Sequence, residues 1–199
     1  MCPFVETICV EDGEPQALGY HQQRMNRTRQ TFYPDAQALD LSVYVRSTLP
    51  TICPGRWKCR VVYDEAFQEV TYVPYQLRAV VSLRLVENDE IDYRYKSTDR
   101  SGLVQAFACR GAADDVLIVK NGLLTDTSIG NVALWREGSW YTPASPLLAG
   151  TKRQRLIEEG LLQEADIFAT DLEHYSRISV FNALIDFGEL VVDVKNVLK

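Results

Sequence analysis

The run Asp115-Val116-Leu117-Ile118-Val119-Lys120, followed at once by Asn121-Gly122, constrains this chain more than any other stretch. Short, apolar and β-branched, it predicts a buried strand. Asn-Gly is the pair best able to take the two left-handed backbone conformations of a two-residue hairpin. A second turn of that kind, Glu137-Gly138, follows the alternating segment Asn131–Arg136. Helices are predicted over Ser101–Arg110, stopped by Gly111, and Thr151–Glu159, stopped by Gly160. Ala165–Thr170, Ile178–Phe181 and the β-prone Phe187–Val194 complete a hairpin-rich second half with its helices outside.

The first half reads as α+β. Phe4–Val10 is a strand candidate and Glu11–Pro15 a turn. Tyr20–Phe32 predicts a helix with a basic face of Arg24, Arg27 and Arg29, and Leu39–Leu49 a second helix stopped by Pro50. Trp57–Tyr63, Gln68–Val73 and Leu77–Val86 read as three strands, the first two joined through Asp64-Glu65. The polar break Asn88-Asp89-Glu90 divides an N-terminal domain, 1–88, from a C-terminal one, 89–199. The architecture expected is two small α/β domains, with Lys96 near their junction, where pockets tend to form.

Composition removes several function classes. A net charge of −6 argues against a nucleic-acid surface. No apolar run is long enough to span a membrane, and the N-terminus lacks the basic-then-apolar order of a secretory signal. The five cysteines form no Cys-x-x-Cys pair, which fits reduced thiols in the cytoplasm. His21 and His174 have no neighbour at metal-ligand spacing, so no metal is expected.

The chemistry-bearing residues come in a fixed order. Lys96 sits in Tyr93-Arg94-Tyr95-Lys96-Ser97-Thr98-Asp99-Arg100. Leu124-Thr125-Asp126-Thr127 with Asn131 follows, then Tyr141-Thr142-Pro143, then Leu148-Ala149-Gly150-Thr151-Lys152-Arg153. Singly, these are ordinary: a surface lysine, a turn or cap carboxylate, a helix start. Together, an amine able to condense with an aldehyde, a carboxylate able to keep a pyridine nitrogen protonated, and a helix N-terminus able to receive a phosphate are the groups that hold pyridoxal phosphate.

Their order resembles the class IV aminotransferase family, pyridoxal-phosphate enzymes of fold type IV that include branched-chain and D-amino-acid aminotransferases and 4-amino-4-deoxychorismate lyase. The likeness runs from about Phe4 to Val180 and is densest over 96–153. Phe4-Val5-Glu6-Thr7 through Gly13 is similar to the family's first strand and turn. His21-Gln22-Gln23-Arg24 resembles its His-x-x-Arg helix, which implies that Arg24 binds the cofactor phosphate. The resemblance makes Lys96 the cofactor lysine, and Asp126 with Asn131 the pair at the ring nitrogen. Asp126 stands where the family usually has glutamate. Thr151, Lys152, Thr170 and Asp171 fall in segments that face the phosphate, although Thr151-Lys152 replaces Ile-Thr. Set against the family, which has a further hairpin before the segment matched by Phe4, the resemblance implies a short form. A homodimer is implied as well.

Two reactions fit the resemblance. Lys96-Ser97-Thr98-Asp99-Arg100 is closer to the Lys-x-x-Asn-Arg of the lyases than to the Lys-x-x-x-Asn-Tyr of branched-chain enzymes, and Thr7 falls where the lyases carry a threonine. This favours a lyase that releases pyruvate and 4-aminobenzoate. A transaminase acting on a small amino acid is the alternative, and a non-catalytic binding module the third reading. Arg100, Arg94 and Tyr95 are candidates for reading a substrate carboxylate.

Overall fold

In the computed structural model of the chain, which describes residues 2–51 and 54–199, two compact units form. One is Met1–Leu77 together with Tyr95–Asp99; the other is Arg78–Arg94 together with Arg100–Lys199. Cys53 of the five cysteines lies outside the described residues.

The first unit is an antiparallel sheet covered by two helices. Its strands are β1 (Phe4–Glu11), β2 (Glu14–Pro15), β3 (Arg56–Tyr63) and β4 (Phe67–Pro74), in the order β2-β1-β3-β4. Alternation along β1 puts Phe4, Ile8 and Val10 on the face that joins the core, with Cys59, Val61 and Tyr63 from β3. Helix α1 (Leu18–Phe32) buries His21, Arg24, Met25, Thr28 and Arg29, the spacing of one helical face. Two of the three arginines of the predicted basic face are therefore inside and only Arg27 is exposed. Arg29 is tolerated there because it donates to the carbonyls of Gln37, Asp64 and Glu65. Helix α2 (Leu41–Thr48) is capped by Asp40, whose Oδ1 accepts from Val43 N at 2.9 Å, and adds Leu41 and Val45 to the core.

The second unit holds a nine-stranded sheet. Its strands are β5 (Leu83–Glu87), β6 (Asp115–Lys120), β7 (Leu123–Thr127), β8 (Asn131–Arg136), β9 (Ser139–Pro143), β10 (Gln163–Ala165), β11 (Arg177–Phe181), β12 (Leu190–Asp193) and β13 (Val197–Leu198). The order is β10-β9-β8-β7-β6-β5-β13, with β11 on β8 and β12 on β11. Helices α3 (Ser101–Ala108) and α4 (Thr151–Glu158) belong to this unit. Both X-Gly hairpins form where expected, with positive φ at Asn121, Gly122, Glu137 and Gly138.

Strand β8 organises the site. Asn131 pairs with both Asp126 and Phe181, and Leu134 with both Tyr141 and Ile178. One edge of β8 is thus filled by β11, and the other is shared by β7 at the Asn131 end and β9 at the Arg136 end. Gly130 is required there: a Cβ on it would lie 2.5 Å from the Phe181 carbonyl oxygen.

Three expectations are corrected. Leu77–Val86 does not continue the first sheet; only Leu83–Glu87 is a strand, and it runs parallel to β6 in the second. A parallel partner needs a crossover, here carrying α3, so it is far along the chain and invisible to a local reading. The division accordingly falls at Leu77, not 88, and the segment carrying Lys96 belongs with the first unit. Ala165–Thr170 is not one strand: β10 ends at Ala165, and a 3-10 turn spans Ala169–His174.

Gly130→Ala should destabilise the protein by about 2 kcal/mol or more, because backbone, not a flexible side chain, must yield. A urea midpoint equal to wild type would show that β8 and β11 tolerate a wider spacing.

Candidate active site

In the first unit, the outstanding feature is a charge where β1 should be apolar. Glu6 lies between Phe4 and Ile8 on the core face and is fully buried. His21 and Arg24, three residues apart on α1, face it. Arg24 Nε donates to Glu6 Oε1 at 2.9 Å and Arg24 Nη2 to Oε2 at 2.5 Å, while His21 Nδ1 lies 2.6 Å from Oε2. Burial alone would raise the Glu6 pKa; the Arg24 charge and the bonds from His21 and Arg24 outweigh it and hold the carboxyl at about 2. Burial, only partly offset by the bond to Glu6, pushes His21 below the usual imidazole value.

Lys96 is half-buried and takes a left-handed backbone conformation, φ 50°. Bonds at its carbonyl and just after it hold the segment: Val5 N donates to Lys96 O at 3.1 Å, and Thr98 N and Oγ1 donate to Pro3 O at 2.9 and 3.0 Å. A non-glycine residue kept in that region costs of order 1–3 kcal/mol and persists where the surroundings enforce it. Arg94 and Tyr95, just before Lys96, form a turn. Tyr95 packs edge-on against Phe32 in the first unit, and Tyr93 is in the core of the second.

In the second unit, Asp126 and Asn131 are cross-strand partners, which accounts for their spacing in the sequence. Asn131 Nδ2 donates to Asp126 Oδ1 at 2.8 Å and to the Leu148 carbonyl at 2.8 Å; Leu148 N donates to Asp126 Oδ2 at 2.9 Å. Asn131 Oδ1 presses so closely on Gly150 that a Cβ there would lie 1.9 Å from it. The helix that follows, α4, starts at the buried Thr151. The carboxylate, the asparagine and the helix start predicted from sequence are therefore brought together. Burial raises Asp126 to about 7, against the pull of Asn131, Leu148 and the more distant charge of Arg153.

The remaining predicted residues are placed as follows. Thr7 is half-buried on the face of β1 opposite Glu6. Arg100 donates from Nη1 to Tyr93 Oη at 3.0 Å and from Nη2 to the Ser128 carbonyl at 2.8 Å. Arg94 is exposed and forks onto Asp92. Lys152 is engaged by the Asp186 carboxylate and donates to the Ile185 carbonyl at 3.2 Å, so α4 offers an anion its backbone N–H groups before this side chain. Thr170 is exposed and donates to Asp171 at 3.2 Å on the 3-10 turn. Sequence reasoning passes over Glu6 as a functional residue. The signal is present: an acid at the core phase of an apolar strand, with His and Arg at helical spacing downstream.

The family described as class IV amino-transferase matches residues 4–191, and the chain belongs to it. A solved structure of a "putative 4-amino-4-deoxychorismate lyase" from Haemophilus somnus is 34% identical with a TM-score of 0.86, covering 92% of this chain and 97% of that one. A Schizosaccharomyces pombe protein named "putative aminodeoxychorismate lyase" is 27% identical over 86% of this chain and 82% of its own. The fold is also that of the PLP-bound form of "a hypothetical aminotransferase" from Mycobacterium tuberculosis, at 18% identity, TM-score 0.77, with 98% of this chain and 81% of that chain covered. The protein is thus of the fold type IV class, whose members are pyridoxal-phosphate-dependent transaminases and lyases. No helix among the described residues is long and apolar enough to cross a membrane.

Unfolded, Asp126 ionises near 3.8; folded, near 7. Between those values the folded state keeps a proton that the unfolded state has released, so stability of the cofactor-free protein falls as pH rises through that window. Asp126→Asn cannot ionise and should remove roughly 2–4 kcal/mol of that fall. Urea unfolding of both proteins at about pH 4.5 and about pH 8 checks it; a wild-type–variant difference independent of pH would contradict it.

Proposed function

We propose that the chain is a pyridoxal-phosphate-dependent lyase acting on 4-amino-4-deoxychorismate or a close analogue, releasing pyruvate and leaving 4-aminobenzoate. The observation that carries the cofactor reading is Asp126. A carboxyl group buried between a side-chain amide and a backbone N–H, with its pKa raised to about 7, is suited to a basic ring nitrogen. A positive charge set beside it returns it to the carboxylate form. The donor set therefore fits the cofactor.

In this reading the first unit would offer Lys96 Nζ to the cofactor aldehyde and Arg24 to a phosphate, and the second would offer Asp126 with Asn131 to the ring nitrogen and the backbone N–H groups at Thr151 to a phosphate. Bound there, pyridoxal phosphate supplies an electron sink for negative charge at the substrate carbon. Lys96 Nζ would be the base that takes the proton from that carbon. Arg100, its guanidinium already oriented by Tyr93 and the Ser128 carbonyl, is the reader of a substrate carboxylate. Elimination is favoured over transamination by the Lys96-Ser97-Thr98-Asp99-Arg100 pattern and by the near full-length likeness to the Haemophilus somnus protein. A homodimer in the cytoplasm completes the reading; light scattering on the purified chain tests the dimer.

Pyridoxal phosphate added to the purified protein should give an absorbance band at the edge of the visible, and borohydride should fix a pyridoxyl label on the peptide carrying Lys96. Lys96→Ala should lose the label and lower turnover by roughly 10²–10⁴-fold. Pyruvate and 4-aminobenzoate released together establish the lyase. A keto acid formed from an amino acid, without 4-aminobenzoate, would make the protein a transaminase.

A further inference from the structure

We infer that Glu6, supported by His21, is a positioning residue for the cofactor phosphate: it fixes the plane in which the guanidinium of Arg24 donates. The inference rests on the reading of Arg24 as the phosphate partner.

The fold does not need a carboxylate at this position. Glu6 occupies the core phase of β1 among Phe4, Ile8 and Val10, where an apolar side chain would satisfy the same packing. Burying an ion pair in such a place is commonly neutral or unfavourable beside apolar residues of similar volume. What the pair supplies is geometry. Arg24 is bound at two points, Nε to Oε1 and Nη2 to Oε2, and two parallel bonds to a carboxylate fix the rotation of a planar group as one bond cannot. His21 bonds Oε2 from one turn earlier on the same face of α1, so the carboxylate is restrained from a second direction. A guanidinium at the end of a flexible stem is thereby ordered before any anion arrives, and the entropy of ordering it is not charged to binding.

The test uses the full chain and two ligands that share a ring and an aldehyde and differ in the phosphate: pyridoxal phosphate and pyridoxal. Dissociation constants for both are measured by absorbance titration on wild type, E6Q and E6D, alongside unfolding midpoints. E6Q presents an NH₂ group toward Arg24 and breaks the fork. E6D keeps the buried charge, and with it the fold, but withdraws the carboxylate by one methylene, so it decides the matter if E6Q does not fold. Each folded variant should weaken pyridoxal phosphate by roughly tenfold or more while leaving pyridoxal within about twofold of wild type. Equal losses for both ligands, or unchanged affinities with only a lower unfolding midpoint, would make Glu6 a structural residue and overturn the inference. If wild type binds pyridoxal phosphate no better than pyridoxal, the inference about the phosphate falls while the cofactor reading stands. If wild type binds neither, the cofactor reading falls and takes the inference with it.

Discussion

A carboxylate removed from water has to be met by donors, and this chain meets two of them in opposite ways. Glu6 is answered by charge: a forked arginine and an imidazole hold it ionised, at about 2. Asp126 is answered by neutral donors, an asparagine amide and a backbone N–H, and burial carries it to about 7. Both groups sit on strands, and elements later in the chain bring their partners: α1 for Glu6, and β8 with the loop before α4 for Asp126. Much of the local architecture follows from these demands. Asn131 must stand opposite Asp126 and reach Leu148, which draws the chain in until Gly150 touches the amide oxygen and only hydrogen fits.

The difference between the two answers has chemical content. A carboxylate already neutralised by arginine has little left to offer a ligand, and its effect is exerted through the arginine it holds. A carboxyl group near neutrality, with no cation among the described residues bonded to it, changes state when a base with a proton is placed beside it. Lys96 shows a third way of preparing a group. Its backbone sits at φ 50° just ahead of two bonds, from Val5 to its own carbonyl and from Thr98 to Pro3. Asp12, Asn121 and Glu137, also at positive φ, each precede a glycine of positive φ in a tight turn, and Lys96 does not. Strain held by tertiary bonds directs a side chain without requiring a rigid one.

How much is legible in the sequence follows from the range of each signal. The hairpins at Asn121-Gly122 and Glu137-Gly138, the ends of α1, α2 and α4, and β1, β3, β4, β6, β8 and β11 are written in neighbouring residues, and local chemistry fixes them. Strand β5 falls to the wrong sheet in a local reading because its parallel pairing with β6 is closed by the crossover through α3. The same excursion sends Tyr95–Asp99 to the first unit, so a boundary drawn at one polar break cannot describe a chain that leaves and returns. At the site, the spacing of Asp126 and Asn131 marks them as a pair, and their pairing across β7 and β8 is its physical cause. Lys152 is the instructive contrast. Its position at the start of α4 suggests an anion contact, but Asp186 arrives from beyond β11 and takes the ammonium, which no local pattern announces.

Glu6 shows why strand periodicity is worth reading for its exceptions. Along Phe4-Val5-Glu6-Thr7-Ile8-Cys9-Val10 the even positions face the core, and the one acid among them interrupts an apolar face. An interruption of that sort is costly unless a partner is supplied, so the strand itself requires a cation on whatever packs against it. His21 and Arg24, at i and i+3, are the only histidine and arginine on the buried first turns of α1. The requirement and its answer can be joined from periodicity alone: the phase of a strand locates the buried charge, and the phase of a helix locates its partner. That logic selects Glu6, the residue that acts through Arg24, ahead of Thr7, which lies on the other face of the same strand.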